Sequence, residues 1–428
     1  MLNPLAQELN NVLEGTTAFS LFSNFGKRIY FPNGIIAQSG EAKKLGHKAN
    51  GTIGMTVIDG KPAMLESIHK YAPELTTGEL VAYAPTAGNL QLREFWKEAL
   101  KKKNPSLKDK NCSLPVVVPG LTAGISYVAD LFIDEDKPLL AANPSWDNYA
   151  LVTEARRNSE LHMFNIFKNG AFDIESFEAA VRKEAENGSV RVILNFPQNP
   201  SGYSPTHDEA VKICAILKDV AEKGAKVLAI SDDAYFGLNY ENDIEPESLF
   251  AKTADLHENI LAVKIDGPTK EDFVWGFRSG FLTFASKGMT DEQYQALVTK
   301  LMGTIRSSVS CASTPSQTLI LKAIADPEFE NQKLALRNIL EKRYRTVRNF
   351  IDTHTNSVLE PLPFNSGYFM SFKVNGKDAE VLRKKILNDY GIGTVSINSE
   401  TLRVAFSSLD ENKIEEVYST IYKAADEL

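Results

Sequence analysis

The 428-residue sequence has only three cysteines, Cys112, Cys214 and Cys311, an odd number at wide spacing. No Cys-x-x-Cys pair exists, which excludes a zinc knuckle and a disulfide framework and fits a reducing, cytoplasmic setting. The six histidines form no His-x-x-x-His pair, so no metal site is expected. No apolar run approaches the ~18 to 20 residues of a membrane span. The N-terminal stretch carries Glu8 and Glu14 and lacks the basic-then-apolar order of a secretion signal. The formal net charge of −8 speaks against a nucleic-acid partner, leaving only a local basic patch open. Repeats and low-complexity segments are missing too.

The composition that remains, 43% hydrophobic and 24% charged, is that of a folded globular chain. Its length exceeds what one core organises, so a large and a smaller domain are expected. Apolar, β-rich runs recur at Leu114–Val118, Pro138–Ala142, Val190–Asn195, Lys226–Ser231, Ile260–Ile265 and Gly280–Phe284. Near-continuous apolar runs suit strands buried on both faces. Amphipathic stretches of helical length lie between several of them. One is Asp208–Lys223, with Val211, Ile213, Ile216, Leu217 and Val220 at helical spacing. The alternation predicts an α/β fold with a mostly parallel central sheet flanked by helices. After residue 315 the texture changes. A helical stretch over Gln317–Ile351, broken near Asp326–Pro327, leads to strands at Gly367–Val374 and Thr401–Ser407. Helices follow Ala379 and Glu411, as in a smaller α+β domain. The expected division is 1–60 as an N-terminal segment completing the small domain, 61–315 as the large domain and 316–428 as the small C-terminal domain.

Four segments at predicted strand ends concentrate the chemistry, and strand ends are where open α/β sheets bind ligands. Asn195-Phe-Pro-Gln-Asn-Pro-Ser-Gly202 taken alone also fits an ordinary Pro/Asn/Gly turn. Ser231-Asp-Asp-Ala-Tyr-Phe-Gly237 puts a carboxylate at the end of a buried strand, costly unless paired, with an exposed strand end as the alternative. Gly267-Pro-Thr-Lys270 offers an amine followed eight residues later by Arg278, although lone lysines are usually solvated. Pro119-Gly-Leu-Thr-Ala-Gly-Ile125 opens an apolar helix whose first N–H groups could meet an anion. It also reads as a plain turn, and it lacks the Gly-Lys-Ser/Thr of a nucleotide-binding loop.

Taken in order, the four segments resemble the class I aminotransferases, enzymes of pyridoxal-phosphate fold type I, over nearly the whole chain. Further segments resemble the aspartate/aromatic branch: Asn143-Pro-Ser-Trp146, Tyr83-Ala-Pro-Thr-Ala-Gly88, Ile53-Gly54 with Asp59-Gly-Lys, Ile305-Arg306 with Ser310, and Leu402-Arg-Val-Ala405. The resemblance implies that pyridoxal 5′-phosphate is held covalently by Lys270. It implies that Asp232 pairs with the ring nitrogen, that Tyr235 and Asn199 donate to the ring oxygen, and that Trp146 stacks on the ring. Leu121, Thr122, Thr269 and Arg278 would hold the phosphate, with Tyr83 reaching in from a partner subunit. Gly54, Trp146, Asn199, Arg403 and Arg306 would meet substrate, Arg403 at the α-carboxylate and Arg306 at a side-chain carboxylate. The implied assembly is a homodimer with shared sites. The implied reaction is transamination between an L-amino acid, aspartate or an aromatic one, and a 2-oxo acid such as 2-oxoglutarate.

The chain departs from the branch in three places. Gly267 stands where the family often has serine, Cys311-Ala-Ser follows Ser310 in place of Asn-Pro-Pro, and Tyr149 occupies the position of a histidine behind the cofactor-binding aspartate. Other chemistry on the same fold, β-elimination or decarboxylation, is the first alternative. A non-catalytic regulator of the same fold is the second, but the ~50 residues before Gly54 show no helix-turn-helix pattern.

Overall fold

The computed structural model describes residues 2–32 and 34–428. Its centre is a seven-stranded sheet with the spatial order Val116–Val118, Gly280–Ala285, Ile260–Asp266, Lys226–Asp232, Ser189–Asn195, Leu139–Asn143 and Leu161–Asn165. Gly280–Ala285 runs antiparallel to both neighbours, and the other pairs are parallel. Val116, Val117, Val192, Ala262, Val263, Ile265 and Leu282 are sealed from solvent. Helices on both faces demand this two-sided burial, which explains why the strands read as apolar runs.

The helices obey the same logic. His207–Glu222 begins with a capping box between Thr206 and Glu209, which satisfies two N–H groups that the helix cannot. Its buried face carries Ala210, Ile213, Cys214, Ile216, Leu217 and Val220. Each such aliphatic side chain contributes roughly 1.5–3 kcal/mol. Val211, expected on this face, is instead half-exposed, because position 211 lies about 200° around the helix from 213. The edge strand Leu161–Asn165 was not expected from the sequence. With one flank open it carries His162 and Asn165 rather than an apolar run.

A four-stranded antiparallel sheet, in the order Leu359–Pro361, Phe369–Val374, Thr401–Ala405 and Val395–Asn398, forms a second layer. Helix Ala379–Tyr390 packs with it, and Ile414–Asp426 sets Tyr418 and Tyr422 against Phe372 of the sheet. The helical stretch expected over Gln317–Ile351, with its break near Asp326–Pro327, is the pair of helices Thr314–Ile324 and Phe329–Thr353. The N-terminal segment is divided between the layers. Ala49–Asn50 pairs with Ile392–Gly393, and Gln38 exchanges hydrogen bonds with Ser396. Arg28, by contrast, donates to the Ala155 carbonyl at 3.2 Å beside the large sheet. No described helix is long and apolar enough to cross a membrane.

Candidate active site

The carboxyl ends of the parallel strands deliver the four segments to one place. A cavity of about 110 Å³ is lined by Leu121, Thr122, Ile125, Trp146, Asn195, Asn199, Asp232, Ala234, Tyr235 and Lys270. Seven of these are residues singled out in the sequence, drawn from five separate stretches of chain.

Asp232 ends its strand and is buried. Its Oδ2 accepts a hydrogen bond from the Tyr149 hydroxyl at 2.5 Å. Its Oδ1 is buried without any hydrogen-bond partner among the described residues. Burial pushes the carboxyl up to about 6, against the pull of Tyr149 and Lys270. An acceptor of this kind fits a cationic N–H. Asp233 does not compete for that place, because its Oδ2 is taken by Lys264 and by the Ser248 hydroxyl. Asn195, named only as the start of its segment, fastens the strand ends: Nδ2 donates to the Asp232 carbonyl at 2.7 Å and Oδ1 accepts from the Asn199 N–H at 2.8 Å. A buried asparagine closing an apolar run was the signal for it.

Lys270 sits in the short helix Pro268–Glu271 with its Nζ 4.8 Å from the centre of the Tyr235 ring. Burial lowers its amine to about 8, opposed by Asp232 and assisted by Arg278. Burial raises the Tyr235 phenol, which therefore remains a donor. The helix Leu121–Phe132 starts directly after Gly120, whose φ is +89°. A Cβ at Gly120 would collide with the Arg278 guanidinium. The helix's unshared first N–H groups and the Arg278 fork thus meet at one point, a fitting cradle for a phosphate. Thr269 is buried with its hydroxyl 3.4 Å from the Ser279 carbonyl. Gly267 has its own reason: a Cβ there would lie 2.9 Å from Gly280 Cα and 3.0 Å from the Ser279 carbonyl oxygen. The close approach of two chain segments leaves no room for the family's serine.

Arg403 is 1% exposed and stands beside the cavity residue Asn199. Its Nη1 donates to Asn199 Oδ1 at 2.8 Å and its Nη2 to the Thr52 carbonyl at 3.1 Å. Its guanidinium carbon lies 4.2 Å from the Phe369 ring centre, and its Nε has no partner among the described residues. Burial lowers its pKa to about 10, so it remains cationic at neutral pH. Gly54 adjoins it, since a Cβ there would lie 3.3 Å from Phe369 and 3.7 Å from the Tyr235 hydroxyl. Trp146 is half-buried, edge-on to Tyr149 at 5.5 Å. Tyr83 and Arg306 do not join this group within one chain. Tyr83 is 94% exposed and Arg306 lies on the surface at the end of helix Asp291–Arg306.

The family model for aminotransferase class I and II matches residues 53–421. The chain belongs to this family. It is an aminotransferase that transfers amino groups between amino acids and 2-oxo acids. A probable N-acetyl-LL-diaminopimelate aminotransferase of Bacillus subtilis is 24% identical, covering 74% of this chain and 73% of its own. A probable aspartate/prephenate aminotransferase of Aquifex aeolicus is 24% identical over 81% and 84%. Among solved structures, an aminotransferase from Anaerococcus prevotii superposes with a TM-score of 0.84 at 22% identity, over 95% of this chain and 99% of that one. An aspartate aminotransferase from Thermus thermophilus gives 0.74 at 16% identity, over 94% and 99%. The shared fold is that of aspartate aminotransferase.

Proposed function

We propose that this aminotransferase holds pyridoxal 5′-phosphate in the cavity between Lys270 and Asp232, and that one member of its substrate pair is a dicarboxylate. The observation that carries the reading is the buried Asp232 Oδ1, without a partner among the described residues, sharing a cavity with an amine lowered to about 8. When bound, the cofactor supplies an electron-withdrawing ring that stabilises negative charge at the substrate α-carbon. The chain's residues do the rest. Asp232 keeps the ring nitrogen protonated, and Tyr149 holds the carboxylate's other oxygen. Tyr235 and Asn199 donate to the ring oxygen, the latter through its amide nitrogen, because its oxygen serves Arg403. Leu121, Thr122, Thr269 and Arg278 hold the phosphate, and Trp146 covers the ring.

Lys270 first anchors the cofactor through Nζ. Its amine, when free, would take the substrate α-proton at Nζ as a base and hold it there for return as an acid. An amine lowered to about 8 has a useful free-base fraction near neutral pH. Arg403 pairs with the α-carboxylate, with Gly54 closing over it. Arg306 receives the second carboxylate, and Tyr83 completes the phosphate site. Both are contributed by a second copy of the chain, in a cytoplasmic homodimer with shared sites. Their exposure on the isolated chain supports that assignment. The name of the Aquifex aeolicus relative, an aspartate/prephenate enzyme, supports a dicarboxylate in the substrate pair.

The test is to load the protein with pyridoxal phosphate, reduce with borohydride and map the labelled peptide. An amino-acid panel with 2-oxoglutarate is then followed by cofactor absorbance. Label on Lys270 and turnover with aspartate are expected. Label on another lysine overturns the site.

A further inference from the structure

Behind the cavity, on the opposite face of the sheet, lies a set of buried charges that the proposed chemistry does not use. Lys264 stands in the strand Ile260–Asp266 and is wholly buried. In the register of the sheet Ser231 pairs with Lys264, and Asp232 with Ile265. Successive strand residues face opposite sides, so Asp232 looks into the cavity while Lys264 and Asp266 look away from it. The Lys264 ammonium forms ion pairs with Asp233 and, at 3.6 Å, with Asp266. It also lies 4.4 Å from the centre of the Phe236 ring.

We propose that Lys264 is a positioning residue for transamination, tying the strand end that carries Asp232 to the turn that carries Lys270. The inference rests on the roles assigned above to those two residues. Asp233 directly follows Asp232, and Asp266 directly precedes the Gly267-Pro-Thr-Lys270 turn. One ammonium therefore grips both segments. Each carboxylate has a second partner. Asp233 accepts from the Ser248 hydroxyl at 2.5 Å, and Asp266 accepts from Trp96 Nε1 at 3.2 Å. Trp96 is stacked on Phe281 with ring centres 4.0 Å apart. Beyond Lys270 the same device recurs. Glu271 is paired with Lys103 at 2.6 Å and Lys333 at 3.1 Å, and Asp272 with Lys333 at 2.7 Å.

Stability alone gives little reason for this arrangement. Desolvating an ammonium and two carboxylates is expensive, and apolar side chains of similar volume commonly serve a core as well or better. What apolar packing lacks is a directional hold on two particular carboxylates. Without the ammonium, Asp233 and Asp266 would repel each other across adjacent strands. The separation of Asp232 from Lys270 would change with them.

The experiment compares wild type, Lys264→Met and Asp266→Asn, all saturated with pyridoxal phosphate. Four quantities are read: kcat and KM for the amino donor, visible circular dichroism of the bound cofactor, and Tm. Lys264→Met is expected to lose about tenfold or more in kcat, the scale on which small misplacements act. Its KM should stay within about threefold, with an altered visible dichroism band. Asp266→Asn keeps the shape and the Trp96 acceptor but cuts the tie to the lysine, and should move both quantities in the same direction. A lower Tm with wild-type kcat and dichroism in the folded variants would reduce Lys264 to a structural role and overturn the proposal. If Lys264→Met does not fold, Asp266→Asn decides by the same readouts. Borohydride labelling of the wild type separates the two levels. Failure to label Lys270 sinks the cofactor assignment itself, whereas labelled Lys270 with unchanged variants sinks only the positioning role.

Discussion

Replacing Asp232 with asparagine should stabilise the cofactor-free protein while weakening its hold on the cofactor. The carboxyl is 3% exposed, and burial lifts it to about 6 from its ordinary 3.8. A raised carboxyl pKa means that the folded state keeps a proton the unfolded chain releases. The stability that this proton confers is full below the unfolded value and is lost as pH rises through the folded one. The window is therefore 3.8 to about 6. The loss amounts to about 3 kcal/mol when complete, at ~1.36 kcal/mol per unit. Asparagine never ionises and so escapes it. Its amide can still accept from Tyr149, but the new N–H replaces an orphaned oxygen and costs about 1 kcal/mol or more. A net gain of about 1–2 kcal/mol near pH 7.5 remains, and about 2 kcal/mol of the difference should vanish by pH 4.5. The assay is urea unfolding of both proteins, cofactor-free, at one protein concentration and at both pH values. Added pyridoxal phosphate should reverse the order, because only the carboxylate can pair with a protonated ring nitrogen. A variant less stable than wild type at pH 7.5, or a gap that does not change with pH, would refute the argument from a buried, unpaired charge.

Three other perturbations follow from the same geometry. Gly267→Ala should destabilise by about 1–3 kcal/mol in thermal or urea melts, the range for overpacking, since its Cβ would press on Gly280 and Ser279; a neutral outcome would show that the two segments separate readily. Arg306→Ala should lower kcat/KM for aspartate by a factor equivalent to ~2 kcal/mol or more while sparing an aromatic donor; equal effects on both donors would remove Arg306 from the site. Inactive Tyr83→Ala and Lys270→Ala chains, mixed and refolded together, should regain partial activity if each site draws on two subunits, and no recovery at any ratio would argue for self-contained chains.

How much of this was legible beforehand depended on the range of the interaction involved. The segment Asn195–Gly202, the Asp232–Tyr235 spacing and the Lys270–Arg278 spacing are short strings whose chemistry is written locally, and they led to the family. The alternation of apolar runs with amphipathic stretches gave the α/β class, because strands sealed on both faces have little choice of side chain. The adjacent pair Asp232 and Asp233 marks the limit. Neighbouring strand residues face opposite sides; the motif's spacing pointed to Asp232, but nothing local says what holds each of the two carboxylates in place. That was decided by Tyr149 from one direction and by Lys264 and Ser248 from the other.

The sequence by itself therefore determined the reaction class and the layered plan of the large sheet, and it singled out Lys270 as the proposed anchoring lysine. All of these rest on residues near one another in the chain or on burial that repeats along a strand. The tertiary structure alone decided the antiparallel sense of Gly280–Ala285, the edge strand at Leu161–Asn165 and the glycine at 267, which is required by a contact with Gly280 and Ser279. It alone brought Arg403 to Asn199, 204 positions apart. The physical reason is common to all four: strand direction, edge position, close approach and long-range hydrogen bonding are properties of surfaces that meet only after the chain has folded.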